Sequence, residues 1–361
     1  MNKNIIIITL FIILTLPLQA FEIKKEQNKL ILQSSSRKEM TRITLSLKEW
    51  MDNIGENKKC NSSIVSKISR EDDLTSENKT NFFSLDISDC VPAHVFKYQG
   101  SKPAVEGPNC WNLALVMKNI LPALRYSSAE EMSFYARPPL CRQLSLKEER
   151  KAGDLVAIRS IFNDEVGETH GFIYISEDVV YSKNGSDEDS GPYELQSFKN
   201  MLDLYQVPKK AECRENVIDL KCSSALSFFR CISMEQYLKE NPFHLLELNL
   251  ALKNISHIEN CLQTQIFNRR PLSELSKSLI ANTANALTTF LKSELAKESS
   301  KGLQKPENAF LLGSLQLRLV AISEQLFLMN EDDLNHDIEE NNTQLSELIS
   351  DSLDQLKRPA N

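Results

Sequence analysis

Apolar side chains at Met40, Ile43, Leu47, Trp50, Met51 and Ile54 fall three and four residues apart, which predicts one amphipathic helix inside an otherwise polar stretch from 21 to 95. Within that stretch, 68–80 is polar and reads as a loop. The pattern changes after residue 96. Cys110 to Leu124 reads as a helix, with Asn109 as its N-cap because a short amide side chain accepts from free first-turn amides. Gly153-Asp154 leads into a strand over Leu155 to Ile158, and His170-Gly171 opens a second over Phe172 to Ile175. Glu177-Asp178 turns into a third over Val179 to Ser182, closed by the turn signal Asn184-Gly185. From 223 onward the period is helical. Leu245, Leu248, Leu252, Ile255 and Ile258 keep it, as do Ile338, Leu345, Ile349 and Leu356. The nearly apolar run Phe310 to Met329 carries Arg318 and Glu324, which favours a buried bundle helix over a membrane span.

The first twenty residues have a different logic. Lys3, an apolar run from Ile5 to Leu16 and a small residue at Ala20 match an export signal, too short in its apolar core for a spanning helix. The expectation is an exported, periplasmic or secreted protein with no stable membrane insertion after cleavage. The formal charge of −7 over 361 residues argues against nucleic acid as a partner. The acidic run 331–356 reads as a solvated helix face and loop, or as a partner-binding face of the helical end.

Eight cysteines stand at 60, 90, 110, 141, 213, 222, 231 and 261. Export permits disulfides. Neighbourhood in sequence suggests Cys60 with Cys90 and Cys231 with Cys261, leaving Cys141, Cys213 and Cys222 to compete; connectivity itself is not readable from sequence. With no CxxC pair and scattered histidines, no metal and no cofactor are expected.

Thiol chemistry needs a thiolate, a base and a group that orients the base. Cys110, at the first turn of a helix, has amides and the helix dipole on its side. His170 begins a strand that can lie over that turn. Asn184, at the end of the next strand, is the candidate to accept the Nδ1 proton of His170 and fix its tautomer. The rival readings are a disulfide for Cys110, perhaps with Cys141, a structural histidine, and a turn asparagine. Trp111 reads as packing, and Asp164 and Glu168 as solvent-facing. His94, His244, His257 and His336 read as structural or surface residues.

The segment Gly107-Pro108-Asn109-Cys110-Trp111-Asn112 resembles the nucleophile turn of papain-type peptidases. The runs GDLVAIR (153–159), THGFIYIS (169–176) and VVYSKNG (179–185) resemble the NlpC-type cell-wall endopeptidases of the same superfamily. The likeness spans 105–195. It departs at His170-Gly171-Phe172, where those enzymes put a residue between His and Gly. Their third catalytic position would fall near Tyr181 or Ser182, whereas the papain-type order selects Asn184. Gln99 is too far upstream for the usual oxyanion glutamine, leaving the Cys110 amide and the Asn109 side chain for that role.

These readings together give an α+β chain. A signal peptide (1–20) precedes a polar N-terminal segment (21–95). A papain-like core at 96–215, a helix packed on a small antiparallel sheet, is followed by an all-helical region (216–361). The resemblance implies a cysteine hydrolase that cleaves a peptide or amide bond through a thioester, with a peptidoglycan-like stem peptide as substrate in a bacterial host. Acyl transfer or deamidation on the same fold is one alternative. A non-catalytic exported scaffold whose C-terminal helices bind a protein partner is the other. The segment 21–95 is compatible with a propeptide, although nothing marks a processing site.

Overall fold

The structure is a computed structural model. It describes residues 21–56, 60, 65–69, 81–145, 147–162, 165–186, 190–208, 224–241, 246–268 and 306–331, with isolated positions between 278 and 289. The export signal, residues 70–80 of the loop expected at 68–80, the helical spacing from Ile338 to Leu356, and Asp164, Cys213, Cys222, His244, Leu245 and His336 lie outside the described residues; Ile68 and Ser69 end a strand instead. The chain divides into two compact units, Met1–Pro92 and Ala93–Asn361.

In the first unit, the expected amphipathic helix is α1 (Arg37–Asn53), capped by Ser36, whose hydroxyl accepts from the Glu39 N–H. It buries Met40, Ile43, Leu47, Trp50 and Met51, the residues that carry the helical period. The polar lead-in expected around it is instead a four-stranded antiparallel sheet. Its strands β1 (Phe21–Glu26), β2 (Lys29–Ser34), β3 (Val65–Ser69) and β4 (Asn81–Asp86) stand in the order β1-β2-β4-β3. Only one face of β2 is sealed, by Leu30, Leu32 and Ser34, and with the apolar Ile31 on the open face and the polar Ser34 on the sealed one its alternation escapes a hydrophobicity reading. A disulfide joins Cys60 and Cys90, the first of the expected pairs.

The second unit is built on six antiparallel strands in the order β5-β10-β6-β7-β8-β9. They are β5 (Cys141–Gln143), β6 (Leu155–Phe162), β7 (Glu165–Tyr174), β8 (Val179–Lys183), β9 (Tyr193–Ser197) and β10 (Ser224–Cys231). Three of these were expected. β10 corrects the all-helical reading from 216 onward: Ser-Ala-Leu-Ser-Phe-Phe-Arg-Cys returns to the middle of the sheet between β5 and β6. It is buried over its first six residues, so its apolar run cannot be told from a core helix by period alone. The Cys231–Cys261 expectation also fails. Cys231 stands directly opposite Cys141 in the β5–β10 ladder and is bonded to it, while Cys110 and Cys261 are free thiols.

Both faces of the sheet are covered, which suits the unbroken apolar run Leu155 to Ile158. On one face Val156, Ile158, Phe172, Tyr174, Val180, Leu226 and Phe228 pack with Phe198 and Met201 of α5 (Phe198–Leu204). Over the other lie α3 (Cys110–Met117) and α4 (Ala129–Tyr135), both touching β7. α2 (Ala93–Tyr98) precedes them and touches β9. α3 is shorter than the stretch to Leu124 expected for it: Lys118 caps it and Asn119 takes a left-handed φ of 52°. After α6 (Met234–Glu240), two long helices, α7 (Leu246–Asn268) and α8 (Pro306–Glu331), pack against each other, and α8 also against α4. α8 buries Phe310, Leu311, Leu315, Leu319, Ile322, Leu326 and Met329, as a bundle helix does. No described helix is long and apolar enough to cross a membrane.

Candidate active site

Cys110 opens α3, and Asn109 is its N-cap. The Asn109 Oδ1 accepts from the Asn112 N–H at 3.0 Å, and its Nδ2 donates to the Ser127 carbonyl at 2.7 Å. The Oδ1 and one of the two Nδ2 hydrogens therefore hold the turn, and only the second Nδ2 hydrogen is left for the oxyanion role expected of this side chain. Asn112, wholly buried, accepts from the Arg125 N–H at 3.0 Å and donates to the Ala123 carbonyl. The nucleophile turn is thereby laced to the segment 123–127. Gln99 is not near this chemistry by function either: its Oε1 accepts from the Leu195 N–H and holds β9.

The Cys110 side chain is only 6% exposed. Burial pushes its thiol up to about 11, against the pull of the backbone N–H groups of Gly171, Trp111 and Cys110 itself and of the Lys183 ammonium. The Gly171 amide is free for this because the sheet opens beside it. Tyr174 directs its N–H to Asp154, so by the two-residue period Ile173 and Gly171 direct theirs toward β8. The β7–β8 ladder holds only Ile173 with Tyr181 and Tyr174 with Val180. Past that point the Gly171 N–H faces the side on which Cys110 stands, and its pull is one of those that oppose the rise of the thiol. Lys183, fully buried, anchors its Nζ on the Gly185 carbonyl at 2.9 Å and the Ser190 hydroxyl at 2.8 Å.

His170 sits one residue before Gly171 and is fully buried. It pairs with Ile158 across β6, just after a bulge that leaves Thr169 out of the ladder. Its ring shares the face of Phe172 and stacks on Tyr205, centroids 4.1 Å apart and 20° from parallel. Its Nε2 lies 2.8 Å from the Ser182 Oγ. Since the Ser182 hydroxyl has an outlet to the Lys183 carbonyl at 3.5 Å, the consistent assignment is Nε2–H donating to Ser182, with a bare Nδ1. Nδ1 has no hydrogen-bond partner. Burial alone pulls the imidazole down to about 3, so it is neutral.

The expected third member, Asn184, does not touch the imidazole. Its Oδ1 accepts from the Tyr205 hydroxyl at 3.4 Å, so it reaches His170 only through the stacked ring. The reason is the strand period: Ser182 shares the face of Val180 and His170, while Asn184 lies beyond the last β8 residue, at a turn completed by Gly185 with φ 75°. Ser182 and Tyr205 are the residues that sequence reasoning did not select. The alternation Val180-Ser182 carried the signal for the first, and nothing local carried it for the second.

Cys110 and His170 come to the same stretch of β7 from its two sides. A Cβ on Gly171 would meet the Trp111 Cδ1 at 3.2 Å, so Gly171 faces α3, and the adjacent His170 faces away from it. A residue between His and Gly would have put both on one face. Its lack here is the departure noted in the sequence, and it has this geometric consequence. No hydrogen bond joins the thiol to the imidazole. Among the described residues no cluster of three or more His, Cys, Asp or Glu side chains is set to hold a metal. His94 is a packing residue, tilted against Tyr98 with centroids 4.6 Å apart, and His257 lies beside the partly exposed Cys261 on α7.

The chain matches no protein-family model, no curated protein and no solved structure.

Proposed function

We propose that this chain is an exported cysteine hydrolase that cleaves a peptide or amide bond through a thioester on Cys110. One observation carries the reading: a buried free thiol stands at a helix start beside β7, and on that strand His170 is an imidazole oriented through Nε2 with an unpartnered Nδ1. Export agrees with two disulfides among the described residues. The likeness to NlpC-type endopeptidases makes a peptidoglycan stem peptide the substrate to try first.

At rest both groups are neutral, the proton residing on sulfur. The thiol proton must reach Nδ1 past the open end of the β7–β8 ladder, since the two groups are not in contact at rest; as Sγ attacks the carbonyl carbon Nδ1 holds that proton, and the developing oxyanion turns to the Cys110 amide. The C–N bond breaks, the amine leaves with the proton from Nδ1, and a thioester remains. Water, giving a proton to Nδ1, then cleaves the thioester and restores the thiol. An acceptor amine in place of water would make the same site an acyltransferase.

A non-catalytic scaffold is the second reading. It is favoured by the burial of Cys110 and by the approach of the two side chains from opposite sides of β7. The two readings differ in how Cys110 reacts with iodoacetamide in a Cys261→Ser background, followed on the Cys110 peptide. With His170 as base, the rate is nearly flat from pH 5 to 8, because the imidazole is already bare above about 3, and His170→Ala slows it roughly 10²-fold or more. A lone buried thiol instead gains about tenfold per pH unit up to about 11 and ignores His170→Ala. The second outcome sinks the hydrolase reading.

A further inference from the structure

We infer that Gln325, on the C-terminal helix α8, is a positioning residue for the Cys110 turn. The inference rests on Cys110 being the reactive thiol proposed above, and it gives the helical end of the chain a role in the site.

Gln325 is fully buried, and its amide bridges the two segments that flank the turn. Its Nε2 donates to the Glu106 carbonyl at 2.8 Å, on the run into Asn109-Cys110. Its Oε1 accepts from the Tyr126 N–H at 2.7 Å, beside the Ser127 carbonyl that takes the Asn109 Nδ2. The fit depends on Gly107. This residue has φ 135°, and a Cβ there would fall 2.0 Å from the Gln325 Oε1, so only glycine admits the clamp. The run-in has two further holds. Ala104 N–H donates to the Ile266 carbonyl near the end of α7, and Gly107 N–H donates to the Ser186 carbonyl in the loop after β8. Residues 104–107 are therefore fixed at three points, two of them supplied by α7 and α8.

An amide is the side chain that does this neutrally, since one end must donate and the other accept. Replacing it takes a partner from a partly buried carbonyl and a partly buried N–H on either side of the nucleophile, and both segments then open more readily to solvent.

The test is hydrogen exchange on the full chain, read on peptides covering 105–112 and 124–128, for wild type, Gln325→Ala, Gln325→Glu and Leu326→Ala. Leu326 is a buried neighbour on α8 without the clamp. Gln325→Ala is expected to speed exchange in both segments about tenfold. Gln325→Glu, which keeps an acceptor but has no donor at neutral pH, should do so at 105–112 alone. Leu326→Ala should lower global stability more and disturb the two segments less. Equal exchange in Gln325→Ala and Leu326→Ala, or no segment difference in Gln325→Glu, overturns the inference. Iodoacetamide labelling of Cys110 in the same variants separates the two ideas. If wild type lacks the flat pH profile, the hydrolase reading fails while exchange still decides the clamp. If wild type has it and Gln325→Ala leaves the rate within twofold, the positioning role fails.

Discussion

The Arg125–Glu131–Glu259–Arg318 cluster and the Cys110–His170 region are equally shut off from water, yet their polar atoms are treated differently. In the cluster two cations and two anions from α4, α7, α8 and the segment after α3 pair throughout. Arg125 grips Glu131 at 2.7 Å and Glu259 at 2.8 Å, and Arg318 closes on the other oxygen of Glu259. Burial pushes the Glu259 carboxyl up, but Arg318 and Arg125 outweigh it and hold the group below the ordinary range. At the site, the His170 Nδ1 and the Trp111 Nε1 are left without partners, and both members of the candidate pair stay neutral. A low-dielectric interior tolerates charge only where it is paired, whereas a neutral polar atom can stay bare at the cost of its desolvation, as the His94 Nε2 also does. The cluster holds the helical end onto the core, and the candidate site stays neutral with two of its ring nitrogens unpaired.

The largest effect should come from breaking the complete half of that contrast. Glu259→Ala strands two buried guanidinium groups that share one carboxylate, and removing one member of a buried ion network costs about 3–5 kcal/mol. Urea unfolding should show this loss, or failure to fold. A change below about 1 kcal/mol would mean that water reaches the cluster.

Next in size is the incomplete half. Ser182→Ala removes the acceptor of the buried Nε2–H, an unmet group worth about 1–3 kcal/mol. Asn184→Ala loses only a 3.4 Å bond to Tyr205 and should cost about 1 kcal/mol or less. Urea midpoints for the two variants rank the candidates for third member. If Asn184→Ala proves the more damaging, the Ser182 assignment is wrong.

The legible parts of this chain were those where one local signal decides. The α1 stripe from Met40 to Met51, the Asn109 cap and the strands at Leu155, Phe172 and Val179 all carry their period in adjacent residues. The sheet of the first unit did not, because its strands are short and β1 is mostly charged, with Glu22, Lys24, Lys25 and Glu26 among its six residues. β10 did not, because a short strand buried on both faces has no period of two and looks like a piece of core helix. Within the site, the positions of Cys110 and His170 on a helix start and a strand could be read. Their relation could not, since it turns on one residue of spacing, His170 beside Gly171, that sets which face each side chain takes. Gln325 lies 215 positions from Cys110 in the numbering, and no pattern along the chain joins them.

The gentlest test leaves the contacts alone and titrates them. His170 falls from an ordinary 6.5 to about 3 on folding, and His94 to about 4, both by burial. Between those values and 6.5 the unfolded chain binds protons that the folded chain refuses, so stability rises with pH across that window and is lost as pH falls through it. Near pH 5 each buried histidine contributes a slope of about 1.4 kcal/mol per pH unit. His170→Asn should remove one such share, seen as a flatter dependence of urea stability between pH 5 and 6. The thiol acts with the opposite sign: with its proton held up to about 11, its contribution is intact below about 9 and declines as pH rises from there, and Cys110→Ala abolishes that decline. An unchanged acid-side slope in His170→Asn would mean that the imidazole is hydrated and charged in the folded chain. The bare Nδ1, and with it the contrast between a saturated cluster and an unsaturated site, would then be lost.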